Sequence, residues 1–174
     1  VDAGAYDGRV TEKFIEIVNN KFEFIYCFEP DEVNYELLKK TVNVYYKIGR
    51  YDIVLGNSDG KVGFSSNYNY MSKVNKKLDK RYDKRKLDFF DNIKPTFIKY
   101  HLEGYELEAI KGSIKTIKKN RPIIAVTTYH TEEGLYKLPL YLIKNLSDYN
   151  FYWRNHNYQG QGAVMYCIPK ERNK

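Results

Sequence analysis

Three groups of residues in this chain have types and spacings that could do chemistry. The first is Asp2-Ala3-Gly4-Ala5-Tyr6-Asp7-Gly8. Glycines at 4 and 8 let the backbone turn sharply and approach a ligand closely, and a helix starting just beyond offers unpaired N–H groups. The spacing is G-x-x-x-G, not the G-x-G-x-x-G of dinucleotide sites. The second is Glu29, 25 residues after Gly4. A carboxylate at that place can accept hydrogen bonds from ribose hydroxyls. Turn and acid in this order indicate an adenosine-like ligand without saying which one. The third group is the histidines, His101, His130 and His156, with Glu103 beside the first. Imidazole titrates near neutrality, so His101 or His130 is a candidate base for taking a hydroxyl proton. Glu103 is a site candidate with them. A histidine–Glu103 metal site is a sharper alternative that chain spacing cannot establish, so no metal ligand is assigned. Glu106 and Glu108 read instead as acids favoured by a helix dipole.

The elements that must position these residues alternate along the chain. Residues 1–3 read as the end of a short buried strand, and residues 11–18 as a helix with Phe14, Ile15, Ile17 and Val18 on or near one face. The apolar run 24–28 suits a strand buried on both faces. Asp31 is an N-cap candidate for a helix carrying Val33, Leu37, Leu38 and Val42. Strands are expected at 51–55, 62–64, 97–101 and 123–128, helices at 106–119 and about 132–146. A terminal hairpin pairs 151–154 with 163–168. Strands alternating with helices predict a mostly parallel sheet covered on both faces, with an antiparallel end. On this map all three histidines follow strand ends at one edge of the sheet, where such folds bind ligands. Arg154, His156, Asn157 and Tyr158 in the hairpin are weaker candidates for meeting a polar substrate.

The 174 residues carry 29 Lys plus Arg against 22 Asp plus Glu, a formal charge of +7. That length fits one domain, 1–174, and an ordinary hydrophobic fraction of 43% excludes a disordered tail or a fibre. No apolar run approaches the roughly 18 residues of a membrane span. Cys27 and Cys167 sit in separate apolar stretches and read as buried thiols of a reducing compartment, so a cytoplasmic location is expected. The chain opens at Val1 directly in a strand, and a further N-terminal segment is expected upstream. Eight of the basic residues fall between 73 and 86; without that stretch and its two acids, 21 basic residues face 20 acidic ones. The charge therefore belongs to residues 66–86, read as an exposed, mobile insertion.

Residues 1–8, then Tyr26-Cys27-Phe28-Glu29-Pro30-Asp31 with Asn34 and Leu37-Leu38, resemble the first two motifs of S-adenosylmethionine-dependent methyltransferases. Leu87-Asp88, the block from Phe97 to Gly104, Glu106 to Glu108, Lys111-Gly112, Arg121-Pro122 and Tyr129-His130 are similar to the FkbM family of methyltransferases. The resemblance covers nearly the whole chain outside 66–86. One departure is His101, which stands where the family pattern I-K-x-D-x-E-G carries Asp.

The resemblance implies a Rossmann-like class I methyltransferase: an α/β fold with a seven-stranded, mostly parallel sheet, helices on both faces and an antiparallel C-terminal hairpin. It implies S-adenosylmethionine as cofactor and a hydroxyl acceptor on a carbohydrate or related small metabolite. By position, Asp2, Gly4, Tyr6 and Gly8 would face the methionine part of the cofactor and Glu29 the ribose. Pro30, Asp31, Asn57 and Ser58 would flank the adenine, with His101 beside the transferring methyl. If the basic stretch lies beside the pocket, an acidic acceptor is the better expectation. The competing readings are an RNA methyltransferase, a cofactor-binding module that has lost catalysis, and a nicotinamide dehydrogenase. Nucleic acid is the lesser reading: the excess charge is confined to residues 66–86, and against base amino methylation the 97–101 strand runs into His-Leu-Glu-Gly and not into an Asn/Asp-Pro-Pro-aromatic loop.

Overall fold

The structure is a computed structural model and describes residues 1–65, 73–74, 81–158 and 162–173. In chain order the elements are β1 (Asp2–Ala3), α1 (Arg9–Ile17), β2 (Ile25–Phe28), α2 (Glu32–Thr41), β3 (Ile48–Tyr51), β4 (Val54–Leu55), β5 (Gly60–Ser65), β6 (Lys73–Val74), β7 (Arg81–Arg85) and β8 (Phe97–Tyr100). They continue with α3 (Glu106–Lys111), α4 (Ile114–Asn120), β9 (Ile123–Thr127), α5 (Glu132–Asn145), β10 (Tyr149–Asn155) and β11 (Ala163–Pro169). Seven strands form one sheet in the order β10-β11-β9-β8-β1-β2-β3. Strands β3, β2, β1, β8 and β9 pair in parallel, and β11 pairs antiparallel with both β9 and β10. This is the expected fold class. The order reverses at β1, so the crevice beyond the carboxyl ends of β1 and β8 is the place for a ligand.

Alternation along β2 assigns the two faces. Ile25 and Cys27 pack with Ile15 of α1, with Leu38 of α2 and with Val42 just beyond it. Phe28 joins the larger cluster on the opposite face, with Ile110, Ile117, Leu138 and Leu142 from α3, α4 and α5. Asp31 is the N-cap of α2, its carboxylate accepting from the Val33 and Asn34 N–H groups at 3.0 Å each. Leu38 and Val42 are fully buried, whereas Val33 and Leu37 are exposed, and on α1 Ile15 is buried while Ile17 is exposed. The helical faces are therefore narrower than the apolar pattern implies. Both cysteines are free and buried, and burial pushes each thiol up to about 12. No described helix is long and apolar enough to cross a membrane.

Three expectations need correction. The third sheet strand is Ile48–Tyr51, pairing Tyr51 with Phe28, not residues 51–55. After Tyr51 the chain leaves the large sheet, and Val54–Leu55 begins a second, four-stranded sheet in the order β4-β7-β5-β6. Part of the supposed insertion belongs to that sheet: β7 pairs Lys84 with Val54 and Arg85 with Leu55, and Tyr82 is buried against Val54 and Val62. Residues 66–72 and 75–80 of the same stretch lie outside the described residues. Finally, the single helix expected over 106–119 is two, α3 and α4, broken at Gly112-Ser113. A Cβ on Gly112 would stand 1.8 Å from the Gly56 carbonyl oxygen, so two chain segments touch where the helix breaks. Asp88 then accepts from the Thr116 and Lys115 N–H groups at 2.7 and 3.2 Å, supplying α4 with a cap from a distant loop.

Candidate active site

The loop after β1 is built to lie against the end of β8. Gly4 has φ +78, and a Cβ there would fall 1.9 Å from the His101 carbonyl oxygen, so only glycine allows this approach. The Lys99 ammonium holds the loop from below, donating to the Gly4 carbonyl and to Asp2 Oδ1 at 2.7 Å each. Asp2 Oδ2 accepts from the Thr11 hydroxyl at 2.5 Å. Asp2 thus supports the loop from beneath and does not line the cleft. Gly8 has φ +85 and precedes α1; a Cβ would meet Leu38 of α2 at 2.9 Å, so its place is in helix packing.

Glu29 closes this side. Its Oε2 accepts from the Tyr6 N–H at 2.8 Å and its Oε1 from the Asp31 N–H at 3.0 Å. Burial pushes its pKa up to about 7; the two main-chain bonds and the charge of Lys99 pull the other way, and Asp31 adds to the rise. A cleft opens above, lined by Gly4, Tyr6, Glu29, Pro30, Asn34, Ile53, Val54, Leu55, His101, Leu102, Glu103 and Tyr105 among others. Of the residues expected to hold a cofactor, Gly4, Tyr6, Glu29, Pro30 and His101 face this cleft. Asp31 is fully buried as a helix cap. Asn57 and Ser58 do not line the cleft, and the Asn57 amide donates to Glu108.

The opposite side brings His101, Glu103 and His130 together. After β8 the chain turns through two left-handed residues, Glu103 at φ +50 and Gly104 at φ +97. A Cβ on Gly104 would meet the Thr131 methyl at 2.8 Å, so this turn is pressed onto the segment after β9. His101 Nε2 lies 3.2 Å and His130 Nε2 3.5 Å from the same oxygen, Glu103 Oε1. The two imidazoles are 5.0 Å apart between centroids, and the Tyr129 ring lies 4.2 Å from that of His130, tilted by 44°. His156 does not join them: it stands at the same sheet edge, exposed, with its Nε2 2.9 Å from the Tyr166 hydroxyl.

Glu106 is the residue that sequence reasoning missed. It does sit in the first turn of α3, but its side chain is only 4% exposed. Its Oε1 accepts from the Leu102 N–H, the Thr127 hydroxyl and His130 Nδ1 at 2.9, 2.9 and 2.6 Å, and its Oε2 from the Gly104 N–H at 2.9 Å. Burial pushes its pKa up, but the hydrogen bond and charge of His130, with the Leu102 N–H, outweigh that and leave it lowered. Burial likewise disfavours protonated His130, yet bonding and charge from Glu106, with Glu103 behind it, leave the His130 pKa raised. A carboxylate can only accept, so the Nδ1 proton belongs to this bond and the neutral ring presents a bare Nε2. That nitrogen is buried and has no hydrogen-bond partner among the described residues.

This arrangement pairs a closed glycine loop and buried acid with a carboxylate-oriented histidine at the switch point of the sheet. A family model described as Methyltransferase FkbM domain matches residues 2–159. A crystal structure of methyltransferase FkbM from Methylobacillus flagellatus KT superposes with a TM-score of 0.81 at 26% identity, over 96% of this chain. The chain spans 42% of that protein's length. A candidate rRNA-methylase from Clostridium thermocellum superposes with a TM-score of 0.54 at 14% identity, over 97% of this chain and 86% of that one, a likeness of fold alone. No curated protein matches the chain. Motif residues, sheet order and the family model over nearly the full length agree, and the chain belongs to the FkbM family of methyltransferases.

Proposed function

We propose that this protein transfers the methyl group of S-adenosylmethionine to a hydroxyl oxygen of a small metabolite, a carbohydrate or a related compound. The observation that carries the reading is one cleft with Glu29 on one wall and the His101–Glu103 pair on the other. In it, Glu29 would accept from the ribose hydroxyls, Gly4 and Tyr6 would border the methionine part, and Pro30 would lie by the adenine. The hydroxyl would sit in line with the sulfonium methyl, roughly 3 Å away, between cofactor and histidines. As the O–CH3 bond forms, the C–S bond breaks and its electron pair remains on sulfur. The hydroxyl proton passes to His101, the imidazole that lines the cleft; Glu103 stands between it and His130, whose ring Glu106 orients through Nδ1 at 2.6 Å.

The acceptor is read as acidic because the basic strand β7 borders Val54 and Leu55, two residues of the cleft wall. The cysteines, free and buried, support a reducing compartment such as the cytoplasm. Calorimetric titration with S-adenosylmethionine and with NAD tests the cofactor: heat from the first alone is expected, and heat from neither removes the reading of Gly4 to Glu29. Transfer of labelled methyl to a panel of neutral sugars, sugar phosphates and RNA tests the acceptor. Transfer to RNA in preference to the sugars would replace the metabolite reading.

A further inference from the structure

We propose that His101, Glu103 and His130 form a binding site for one divalent transition-metal cation, of the zinc or cobalt type. Each offers one ligand atom, and the three atoms lie within 4.8 Å of one another. Two of the separations are 3.2 and 3.5 Å, both to Glu103 Oε1. Zinc bonds of ~2.0–2.2 Å in tetrahedral geometry set ligand atoms roughly 3.4 Å apart, so the two separations to Glu103 already match, and the two histidine nitrogens lie within 4.8 Å of each other.

The independent observation is the state of His130. Its side chain is only 9% exposed, and its Nε2 has no hydrogen-bond partner among the described residues, yet it points at Glu103. A buried imidazole nitrogen left bare costs free energy unless something takes its lone pair. A cation would. The other ring nitrogen is bound to the Glu106 carboxylate, which Leu102, Gly104 and Thr127 fix in turn. A histidine held through one nitrogen by a carboxylate, with the second free, is how metal-binding histidines are oriented. His101 and Glu103 are 38% and 26% exposed and line the cleft, which gives the ion an entry path and an open side. Two imidazoles and one carboxylate suit zinc, cobalt or iron and disfavour magnesium, which prefers oxygen ligands.

The role of the ion rests on the methyl transfer proposed above, and it changes the base. With the His101 and His130 ring nitrogens bound to the cation, their lone pairs no longer take a proton. The acceptor hydroxyl would instead occupy the open coordination position, where the ion lowers its pKa and its proton leaves to water. The resulting oxygen attacks the sulfonium methyl, the C–S bond breaks, and sulfur keeps the electron pair as a neutral thioether.

Chelator-treated protein titrated with Co2+ and followed by visible absorption tests the site, with Zn2+ and Mg2+ titrations by calorimetry beside it. One equivalent of Co2+ or Zn2+ and no Mg2+ is expected. His101→Ala, Glu103→Gln and His130→Ala should each lower Zn2+ affinity by more than about 100-fold, and Glu106→Gln, a positioning change, by about 10- to 100-fold. His101 is the most exposed of the three, so its variant keeps the test open if His130→Ala fails to fold. Absence of uptake by the unsubstituted protein, or unchanged Co2+ spectra in the His101→Ala and Glu103→Gln variants, overturns the proposal. S-adenosylhomocysteine titrated into the same preparations separates the two readings. Product bound without metal removes the ion and leaves methyl transfer standing; metal bound without product does the reverse.

Discussion

Glu29 and Glu106 do the same mechanical work on the two sides of the crevice between β1 and β8. Each buried carboxylate gathers two main-chain N–H groups, Tyr6 and Asp31 for the first, Leu102 and Gly104 for the second. Each thereby fixes a turn that includes a non-glycine residue in the left-handed region, Tyr6 at φ +52 and Glu103 at φ +50. Their electrostatics are opposite. Glu29 is pushed up to about 7, because burial outweighs its two main-chain bonds and the charge of Asp31 adds to the rise. Glu106 is held below its usual value, because His130 bonds to it directly. At Glu29 two main-chain hydrogen bonds do not offset burial, whereas at Glu106 the added bond from His130 does. One acid closes a loop and titrates near neutrality, and the other locks a histidine.

The contrast can be broken first at Glu106. Glu106→Ala leaves two N–H groups and His130 without their acceptor, and should cost about 3–5 kcal/mol by denaturant unfolding. A loss below 1 kcal/mol would show that the network is not holding the turn. Next comes pH at Glu29, whose folded value of about 7 lies above the usual 4.5. A raised folded pKa contributes stability that is complete below the unfolded pKa and is lost as pH rises through the folded one. Glu29 should therefore withdraw about 3 kcal/mol between about pH 4.5 and 8, with Asp31 and Lys99 as the charges facing it. Glu29→Gln should flatten that slope in a series of unfolding curves.

The same titration bears on ligand binding. Ribose hydroxyls donate to the ionised acid, so affinity for S-adenosylmethionine should rise about tenfold per pH unit up to about pH 7 and then level. Calorimetry at several pH values checks this, and a profile without a bend would detach Glu29 from the cofactor. The smallest effect is expected at Gly8. There φ +85 and the Leu38 contact make Gly8→Ala cost more than about 1 kcal/mol in thermal unfolding, with cofactor affinity little changed.

Along the chain, local patterns were the readable ones. The Asp31 cap and the glycine turn follow from short-range rules, and the structure has both where they were expected. The third strand was misplaced because Ile53, Val54 and Leu55 form an apolar run directly after Tyr51. An apolar run shows burial but not which sheet it joins, and β4 is buried in the second one. The break at Gly112 was invisible for a similar reason. Its cause is the Gly56 carbonyl, far away in sequence. Glu106 read as a dipole acid because its position in the first turn of α3 is local, whereas its bond to His130 spans 24 residues.

The sequence by itself determined the alternation of strands and helices, the family, and the candidates Gly4, Glu29, His101, Glu103 and His130. These depend on residue type and short spacing, which the chain carries wherever it goes. Only the tertiary structure decided that Asp2, Gly8 and Asp31 support the site from behind, and that β7 joins a second sheet. It alone set His130 against Glu103 while Glu106 holds the other side of the ring. The physical reason is that β8 and β9 pair in parallel, which delivers two distant turns to one edge, and side-chain convergence there depends on register and close approach.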